Sequence, residues 1–191
     1  MRLKIAELGD IDAILKLHNR YQIDNIHEED KKDGFVTTAF SHEQLKDIIT
    51  HENGVFIAIE EGNVLGYVMS ASWQYWSAWP IFAVMIADLP KLRYLNQNIT
   101  VDNSYQYGPV CIDKSVRGNG VLEQLFDFAL ESMSKRYAIL VTFVNKINTR
   151  SYAAHSRKLG LELLHEFQFN GNSYYELAYD TSKRVLSKKV V

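Results

Sequence analysis

The chain has 191 residues, of which 47% are hydrophobic and 23% charged, and its formal net charge at pH 7 is -2. This length predicts one compact domain, assigned to residues 1–191, that buries enough surface to fold without a disulfide or a metal. The nearly balanced charge provides no overall positive field for nucleic acid or an anionic membrane.

The sequence contains no recognisable targeting or metal-binding signal. Its amino terminus lacks the apolar core of a signal peptide, and the longest apolar run, Ala78–Ala87, is about half as long as a membrane-spanning helix. Cys111 is the only cysteine, so no internal disulfide can form and no cysteine pair has the spacing of a zinc site. We therefore expect a cytoplasmic protein that binds no metal, no membrane and no nucleic acid.

The amino-terminal part predicts a strand and two helices. Leu3 and Ile5 alternate with polar residues, as in a short strand. A charge-rich stretch between Tyr21 and Phe40 is interpreted as a solvated loop, although its carboxylates could receive a cationic substrate. Ser41 is suited to cap the second helix. The residues that share an apolar helix face are Ile11, Ile14, Leu15 and His18 in the first helix, and Leu45, Ile48 and Ile49 in the second.

A hairpin and an aromatic segment come next. The runs 55–59 and 64–69 are rich in β-branched and aromatic residues, and the Gly and Asn between them suit a tight turn. Residues 81–95 then predict a helix that Pro90 breaks. The aromatic residues before this helix could line a substrate pocket, but a satellite core is the favoured interpretation. They are Trp73, Tyr75, Trp76 and Trp79.

Strands and helices alternate in the carboxyl-terminal half. Tyr105–Ile112 predicts a strand that Gly108-Pro109 either interrupts with a bulge or confines to a sheet edge. A helix is predicted over 120–136. The almost wholly apolar run 138–144 indicates a buried central strand.

The last elements are a short helix, a hairpin and a tail. The helix is predicted over 150–159 and ends at Gly160. The hairpin is predicted over 162–169 and 173–179. Residues 181–191 are expected to form a flexible basic tail.

A strand, a turn and a helix start meet in the segment Val110–Leu122, which contains Gly118 and Gly120. The first N–H groups of a helix lack intrahelical partners and lie at the positive end of its dipole, and glycines let a phosphate approach the backbone. The segment therefore predicts a phosphate site. It lacks the Gly-Lys-Ser/Thr string of a P-loop, and Glu123 stands where the dinucleotide fingerprint needs Gly or Ala.

This segment resembles a motif of a known enzyme family. Arg117-Gly118-Asn119-Gly120, after an apolar strand, resembles motif A of the GNAT superfamily of acyl-CoA-dependent N-acyltransferases, although Ser115 replaces the usual first Gln or Arg. Asn148-Thr149-Arg150-Ser151, followed by His155 and Gly160, resembles the family's motif B, with one extra residue between His155 and Gly160. The order of the elements agrees over nearly the whole chain.

The resemblance implies an α/β fold of the α+β type. A mixed, strongly bent sheet of six to seven strands would be flanked by helices, and its fourth and fifth strands would splay apart around the acyl donor, acetyl-CoA. The implied cofactor contacts are the backbone of Val110 and Ile112 for the pantetheine, the loop Arg117, Gly118, Asn119, Gly120, Val121 and Leu122 for the diphosphate, and Asn148 and Ser151. A helix N-cap is the alternative role of Asn148.

The resemblance also implies catalytic candidates. His155 stands where many relatives place a Tyr that protonates the leaving sulfur, and an imidazole could do this near neutral pH; a structural histidine is the alternative. Tyr152 is the candidate if the extra residue shifts the helix register. No carboxylate occurs where some relatives place a base, so Tyr105, Tyr107 or a water relay could serve instead. Cys111 is expected to be a buried small hydrophobe.

The predicted activity is transfer of an acetyl group from acetyl-CoA to a primary amine of a small molecule or peptide through a ternary complex. A homodimer is possible, because relatives often dimerise. A non-catalytic acyl-CoA-binding regulatory module is the alternative, since a recognisable base is missing, and a nucleotide-binding fold with a similar glycine turn is a third. The loop 21–40 and the insertion 73–95 are expected to shape the acceptor pocket.

Overall fold

The computed structural model describes residues 1–186, and a seven-stranded sheet forms the centre of this part. The strands are β1 (Arg2–Ile5), β2 (Val55–Glu60), β3 (Asn63–Ala71), β4 (Arg93–Tyr94), β5 (Gln97–Asn98), β6 (Ser104–Ile112), β7 (Ile139–Asn145), β8 (Glu162–Phe169) and β9 (Asn172–Asp180). The sheet order is β1-β2-β3-β6-β7-β9-β8, while β4 and β5 form a separate hairpin. Neighbouring strands are antiparallel except β6 and β7, which are parallel.

Helices cover both faces of this sheet. They are α1 (Ile11–Tyr21), α2 (His42–Asp47), α3 (Trp73–Trp76), α4 (Pro80–Asp88), α5 (Val121–Met133) and α6 (Thr149–Ala153). Wider π turns continue α2 over Ile48–Glu52 and α6 over Ala154–Leu159. Short 3₁₀ turns occur at Leu8–Asp10, Glu28–Asp33, Leu89–Lys91 and Lys114–Val116. In residues 1–186, no helix is long and apolar enough to cross a membrane.

The sheet opens between β6 and β7 because their pairing stops early. Ser104–Gln106 pairs with Ile139–Val141, and no register is maintained between the two strands beyond this point. From there β6 stays paired with β3, and β7 stays paired with β9. A register shift between Val68 and Ser70 accommodates Gly108-Pro109, as the predicted bulge requires. The splayed strand pair and the mixed sheet that the family resemblance implies are confirmed.

Each sheet face carries its own apolar core. The face covered by α1 to α4 buries Ile14, Leu45, Trp76 and Phe82, and the opposite face, covered by α5 and α6, buries Leu125, Phe126 and Leu159. β7 contributes to both cores because alternate side chains of a strand face opposite ways. The predicted central buried strand is confirmed.

The segment 73–95 differs from its prediction in two respects. Trp73 and Trp76 are fully buried, as a core interpretation predicts, but they belong to the main apolar core of this sheet face and not to a separate satellite core. The predicted helix over 81–95, however, ends at Asp88, and the chain then forms the β4–β5 hairpin. The reason is Pro90, because it has no N–H group to continue the hydrogen bonds of the helix beyond Leu89, which is itself still helical.

The start of the predicted basic tail is attached to the domain. The backbone N–H groups of Val185 and Leu186 donate to the Asp127 carboxylate of α5 at 2.8 and 2.9 Å. The Thr181 hydroxyl donates to the Tyr137 carbonyl at 2.7 Å. This attachment differs from the flexible tail expected from residue 181 onward, and residues 187–191 lie outside the described part of the chain.

Candidate active site

The gap between β6 and β7 forms a groove whose walls come from distant parts of the chain. One wall is the end of β6 with the start of α5, and the other is α6 with its π turn. A segment we call the strap, residues 33–36, crosses between them. The groove is lined by Tyr21, Asp33, Gly34, Phe35, Val36, Val110, Cys111, Ile112, Val116, Arg117, Gly118, Gly120, Val121, Leu122, Glu123, Asn148, Arg150, Ser151, Ala154, His155 and Lys158.

The amino terminus of α5 supplies an anion site at one end of this groove. Gly120 is the N-cap residue, and as a glycine it provides no side-chain cap for the start of α5. Gly118 and Gly120 have φ values of +87° and +78°, and a Cβ at Gly118 would meet nothing within 4 Å. Backbone donors at a positive helix end, approached over glycines, suit a diphosphate such as that of acetyl-CoA.

The backbone of β6 provides polar groups along the groove. The N–H of Asp113 donates to Leu65 on β3 at 2.8 Å. Consecutive peptide groups of a strand point to opposite edges, so Val110 and Ile112 turn their N–H and C=O groups away from β3 and toward the groove. The N–H and C=O of Val110 and the N–H of Ile112 suit the amides of a pantetheine arm, whereas the Ile112 carbonyl already accepts from Arg117.

Two of the five N–H donors of Arg117 bind carbonyl groups of the protein itself. Its Nε donates to the Ile112 carbonyl at 2.8 Å, one terminal nitrogen donates to the Asp33 carbonyl, and the guanidinium lies over the Tyr21 ring at 4.9 Å. The side chain therefore holds the strap against β6, and a diphosphate would meet the backbone of this loop. The neighbouring Asn119 is exposed and does not line the groove.

Asn148 caps α6 and also holds the strap. Its Oδ1 accepts from the Ser151 N–H at 3.2 Å, and its Nδ2 donates to the Phe35 carbonyl at 3.0 Å. The N-cap interpretation is thereby confirmed. Both Asn148 and Ser151 line the groove, and their contact with a cofactor stays a prediction.

His155 is a buried neutral imidazole. Its Nδ1 lies 2.8 Å from the Ser151 carbonyl, which can only accept, so Nδ1 carries the proton and Nε2 is the unprotonated nitrogen. Burial lowers the pKa of His155 below its ordinary value, and the bond to Ser151 opposes part of this effect. A neutral imidazole with a free Nε2 accepts a proton more readily than it donates one.

The extra residue of motif B lies in the π turn. Residues 154–159 form this turn, in which the Gly160 N–H donates to the His155 carbonyl. A π turn contains one more residue than an α turn, so the insertion leaves the register up to His155 intact. Tyr152 instead stacks on Tyr175, with ring centroids 4.2 Å apart, and does not line the groove.

Asp33 ties the strap to both walls, a role that sequence reasoning missed. Its carboxylate lies 3.1 Å from Lys114 and 3.3 Å from Arg150. The Lys114 hydrogen bond and the nearby positive charges lower the pKa of Asp33. The sequence favours a solvated loop for the charge run 28–33, and no local pattern marks its last carboxylate as different. Lys158, which follows His155 by about one helical turn, also lines the groove and was not among the predicted site residues.

A second cavity, which we name the acceptor-side cavity after the role predicted for it, adjoins the groove and shares Phe35, Val36, Val110, Asn148, Ser151 and His155 with it. Its remaining lining residues are Thr37, Thr38, Phe82, Gln106, Tyr107, Gly108, Pro109, Thr142, Phe143, Val144 and Asn145. His155 therefore lies where the two cavities meet. Thr37 and Thr38 belong to the loop 21–40 and Phe82 belongs to the insertion 73–95, so both segments reach this cavity. Their role in shaping an acceptor pocket stays a prediction.

The other candidate groups of β6 are poor proton acceptors. Tyr105 and Tyr107 are fully buried, and burial raises the pKa of both phenols. Burial also raises the pKa of the Cys111 thiol to about 12, which agrees with the expected buried small hydrophobe. Residues 1–186 contain no group of three or more His, Cys, Asp or Glu that could hold a metal ion.

Comparison with known proteins identifies the family. The family model described as "Acetyltransferase (GNAT) family" matches residues 14–161, more than half of the chain. The chain belongs to the GNAT acetyltransferase family. No curated protein sequence matches it significantly.

Solved structures share the fold at low sequence identity. A ribosomal-protein-alanine N-acetyltransferase from Brucella melitensis is 17% identical with a TM-score of 0.61, and the match covers 94% of this chain and 99% of that one. The putative acetyltransferase yncA from Salmonella typhimurium, solved with its cofactor acetyl-CoA, is 12% identical with a TM-score of 0.62, covering 96% and 95%. The protein smu.2055 from Streptococcus mutans is 16% identical with a TM-score of 0.63, covering 95% and 99%.

Proposed function

We propose that this protein transfers an acetyl group from acetyl-CoA to a primary amine of a small molecule or peptide, in the cytoplasm, while both substrates are bound. The observation that carries the proposal is the neutral His155 at the junction of the cofactor groove and the acceptor-side cavity. The GNAT family match and the fold shared with an acetyl-CoA complex support the choice of donor.

Acetyl-CoA supplies the acetyl group as a thioester. The N–H groups at the start of α5 bind its diphosphate, and the backbone of Val110 and Ile112 aligns its pantetheine arm. A backbone N–H of β6 donates to the thioester carbonyl oxygen and stabilises the negative charge that develops there. The strap covers the arm and excludes water.

His155 manages the proton of the reaction. The amine nitrogen forms a bond to the acetyl carbon and loses one proton, the carbon–sulfur bond breaks, and the released sulfur gains one proton. The free Nε2 of His155 accepts the proton from nitrogen, directly or through one water, and delivers it to sulfur. This assigns His155 the role of a proton relay, whereas the family resemblance suggested an acid alone.

The test is calorimetry with acetyl-CoA followed by an amine screen that detects the free thiol of CoA. We expect acetyl-CoA to bind and at least one amine to release the thiol. Binding without release on any amine would favour the non-catalytic module, and ATP or NAD binding in place of acetyl-CoA would favour the nucleotide-binding alternative.

A further inference from the structure

The acceptor-side cavity contains a buried amide whose oxygen has no partner. Gln106 lines this cavity, is only 2% exposed, and its Oε1 makes no hydrogen bond. Leaving a buried acceptor unpaired costs free energy, so such a group needs a reason, and a ligand donor is one. Gln106 is the last β6 residue that pairs with β7, which places it where the strands separate.

The orientation of this amide is fixed by its neighbours. Gln106 Nε2 donates to the Tyr107 carbonyl at 2.8 Å, and the Thr142 hydroxyl donates to the same carbonyl at 2.6 Å. A carbonyl can only accept, so the nitrogen of the amide must face it and the oxygen must be the free atom. Gln106 therefore holds a fixed, uncharged and unpartnered hydrogen-bond acceptor in the buried wall of this cavity.

The described residues that line this cavity include no Asp, Glu, Lys or Arg, and their only titratable side chains are Tyr107 and His155. Nothing in the lining carries a charge that would hold an ammonium ion. The acceptor must therefore enter as a neutral amine. At pH 7 about one tenth of peptide α-amino groups is neutral, against roughly one lysine side chain in two thousand.

We propose that Gln106 Oε1 accepts a hydrogen bond from the acceptor amine, and that the cavity selects an α-amino group next to an amide, as at a peptide amino terminus, over a lysine side chain. This inference rests on the proposed acetyl transfer. One N–H of the neutral amine binds Oε1, which leaves the nitrogen lone pair free to attack. Phe82 and Phe143 offer an apolar surface for the first side chain.

The first experiment compares an alanyl peptide amide with Nα-acetyl-lysine amide at pH 7. We expect kcat/KM to be at least tenfold higher for the α-amine. A lysine preference would overturn the proposal while leaving acetyl transfer intact, and transfer to neither amine in a screen that finds no acceptor at all would overturn both.

The second experiment uses Gln106→Met, which keeps the side-chain length and removes the oxygen. We expect the KM for the peptide to rise at least tenfold with a smaller change in kcat, weaker peptide binding to the CoA-loaded protein, and an unchanged acetyl-CoA Kd. Thr142→Val is the matched variant, because it removes the other donor to the Tyr107 carbonyl and keeps Oε1. An equal KM increase in both variants would mean that Gln106 only holds that carbonyl, and would overturn the proposal.

Discussion

Several side chains in this site each bind two separate segments of the chain. Asn148 caps α6 with one side-chain atom and fixes the Phe35 carbonyl with another, and Arg117 connects β6, the strap and Tyr21. His155 is held by its own helix through the Ser151 carbonyl. A buried imidazole that is positioned in this way has one defined tautomer, which makes its chemical role testable.

We expect His155→Gln to lower kcat by a factor of about 10² to 10⁴, the usual contribution of a proton-transferring group. Burial lowers the pKa of His155, so the wild-type kcat, measured at saturating acceptor, should be constant above pH 6.5 and should fall only at a more acidic pH, where the imidazole becomes protonated. The variant should lose that acidic decline in the pH profile of kcat.

The control is Ser156→Ala on the same turn, whose hydroxyl donates only to the Tyr152 carbonyl and lies outside the groove. Its kcat should stay within twofold of wild type. A small effect of His155→Gln, with the acidic decline retained, would assign the proton transfer to another group.

At the level of elements, the site depends on two irregularities. The π turn after Ala153 absorbs an inserted residue so that His155 faces the groove while Leu159 remains in the core. The left-handed glycines before α5 expose its first N–H groups. Regular helices and strands position the walls of the groove, and these two turns direct His155 and the N–H groups at the start of α5 into it.

Gly118→Ala tests the diphosphate site against a matched control. Gly171, in the β8–β9 turn, also has a positive φ, and a Cβ added there would likewise meet no atom within 4 Å. Each alanine should cost about 1 to 2 kcal/mol of stability, because an L-residue is strained in this conformation.

Only Gly118→Ala should also weaken acetyl-CoA binding, by at least tenfold, because its methyl group would stand where a phosphate approaches the backbone. Calorimetry on both variants measures this difference. Equal acetyl-CoA affinities of the two variants would show that the diphosphate binds elsewhere.

Contacts between distant segments hold the whole molecule together, and some of these contacts involve histidines whose protonation depends on pH. His18 of α1 is completely buried, and its Nδ1 lies 2.6 Å from the Tyr67 hydroxyl of β3. Burial lowers the pKa of His18, and the Thr38 carbonyl opposes part of this effect. His155 is a second buried neutral histidine, so acidification opposes folding at both positions.

We therefore expect the free energy of unfolding to fall as the pH drops below 6.5. The unfolded chain binds a proton at each histidine near its ordinary pKa, whereas the folded chain binds it only at lower pH, so stability is full above pH 6.5 and is lost below it. Urea unfolding between pH 7 and pH 5 should show a loss of about 1 kcal/mol or more.

His18→Asn should reduce this pH dependence, although the variant is less stable overall. His51→Gln is the control, because the His51 side chain is 73% exposed and is hydrated in both states. An unchanged slope in His18→Asn would show that other groups cause the loss of stability.

The sequence by itself determined the order of the elements outside the β4–β5 hairpin, the glycine turn before α5 and the cap of α6. These features depend on local spacing and on the special conformations of glycine and asparagine, which are visible within a few residues. The apolar run of β7 and the resemblance to the GNAT motifs likewise led to the fold that the family match supports.

Only the tertiary structure decided which side chains meet. Asp33 pairs with Lys114 and Arg150, far away in sequence, and the amide oxygen of Gln106 has no partner at the point where β6 and β7 begin to separate. Likewise, Tyr152 and His155 are three residues apart, and the backbone of one helix decides that the first packs on β9 and the second lines the groove. Such arrangements arise from packing between segments that are distant in the chain, so local sequence patterns do not predict them.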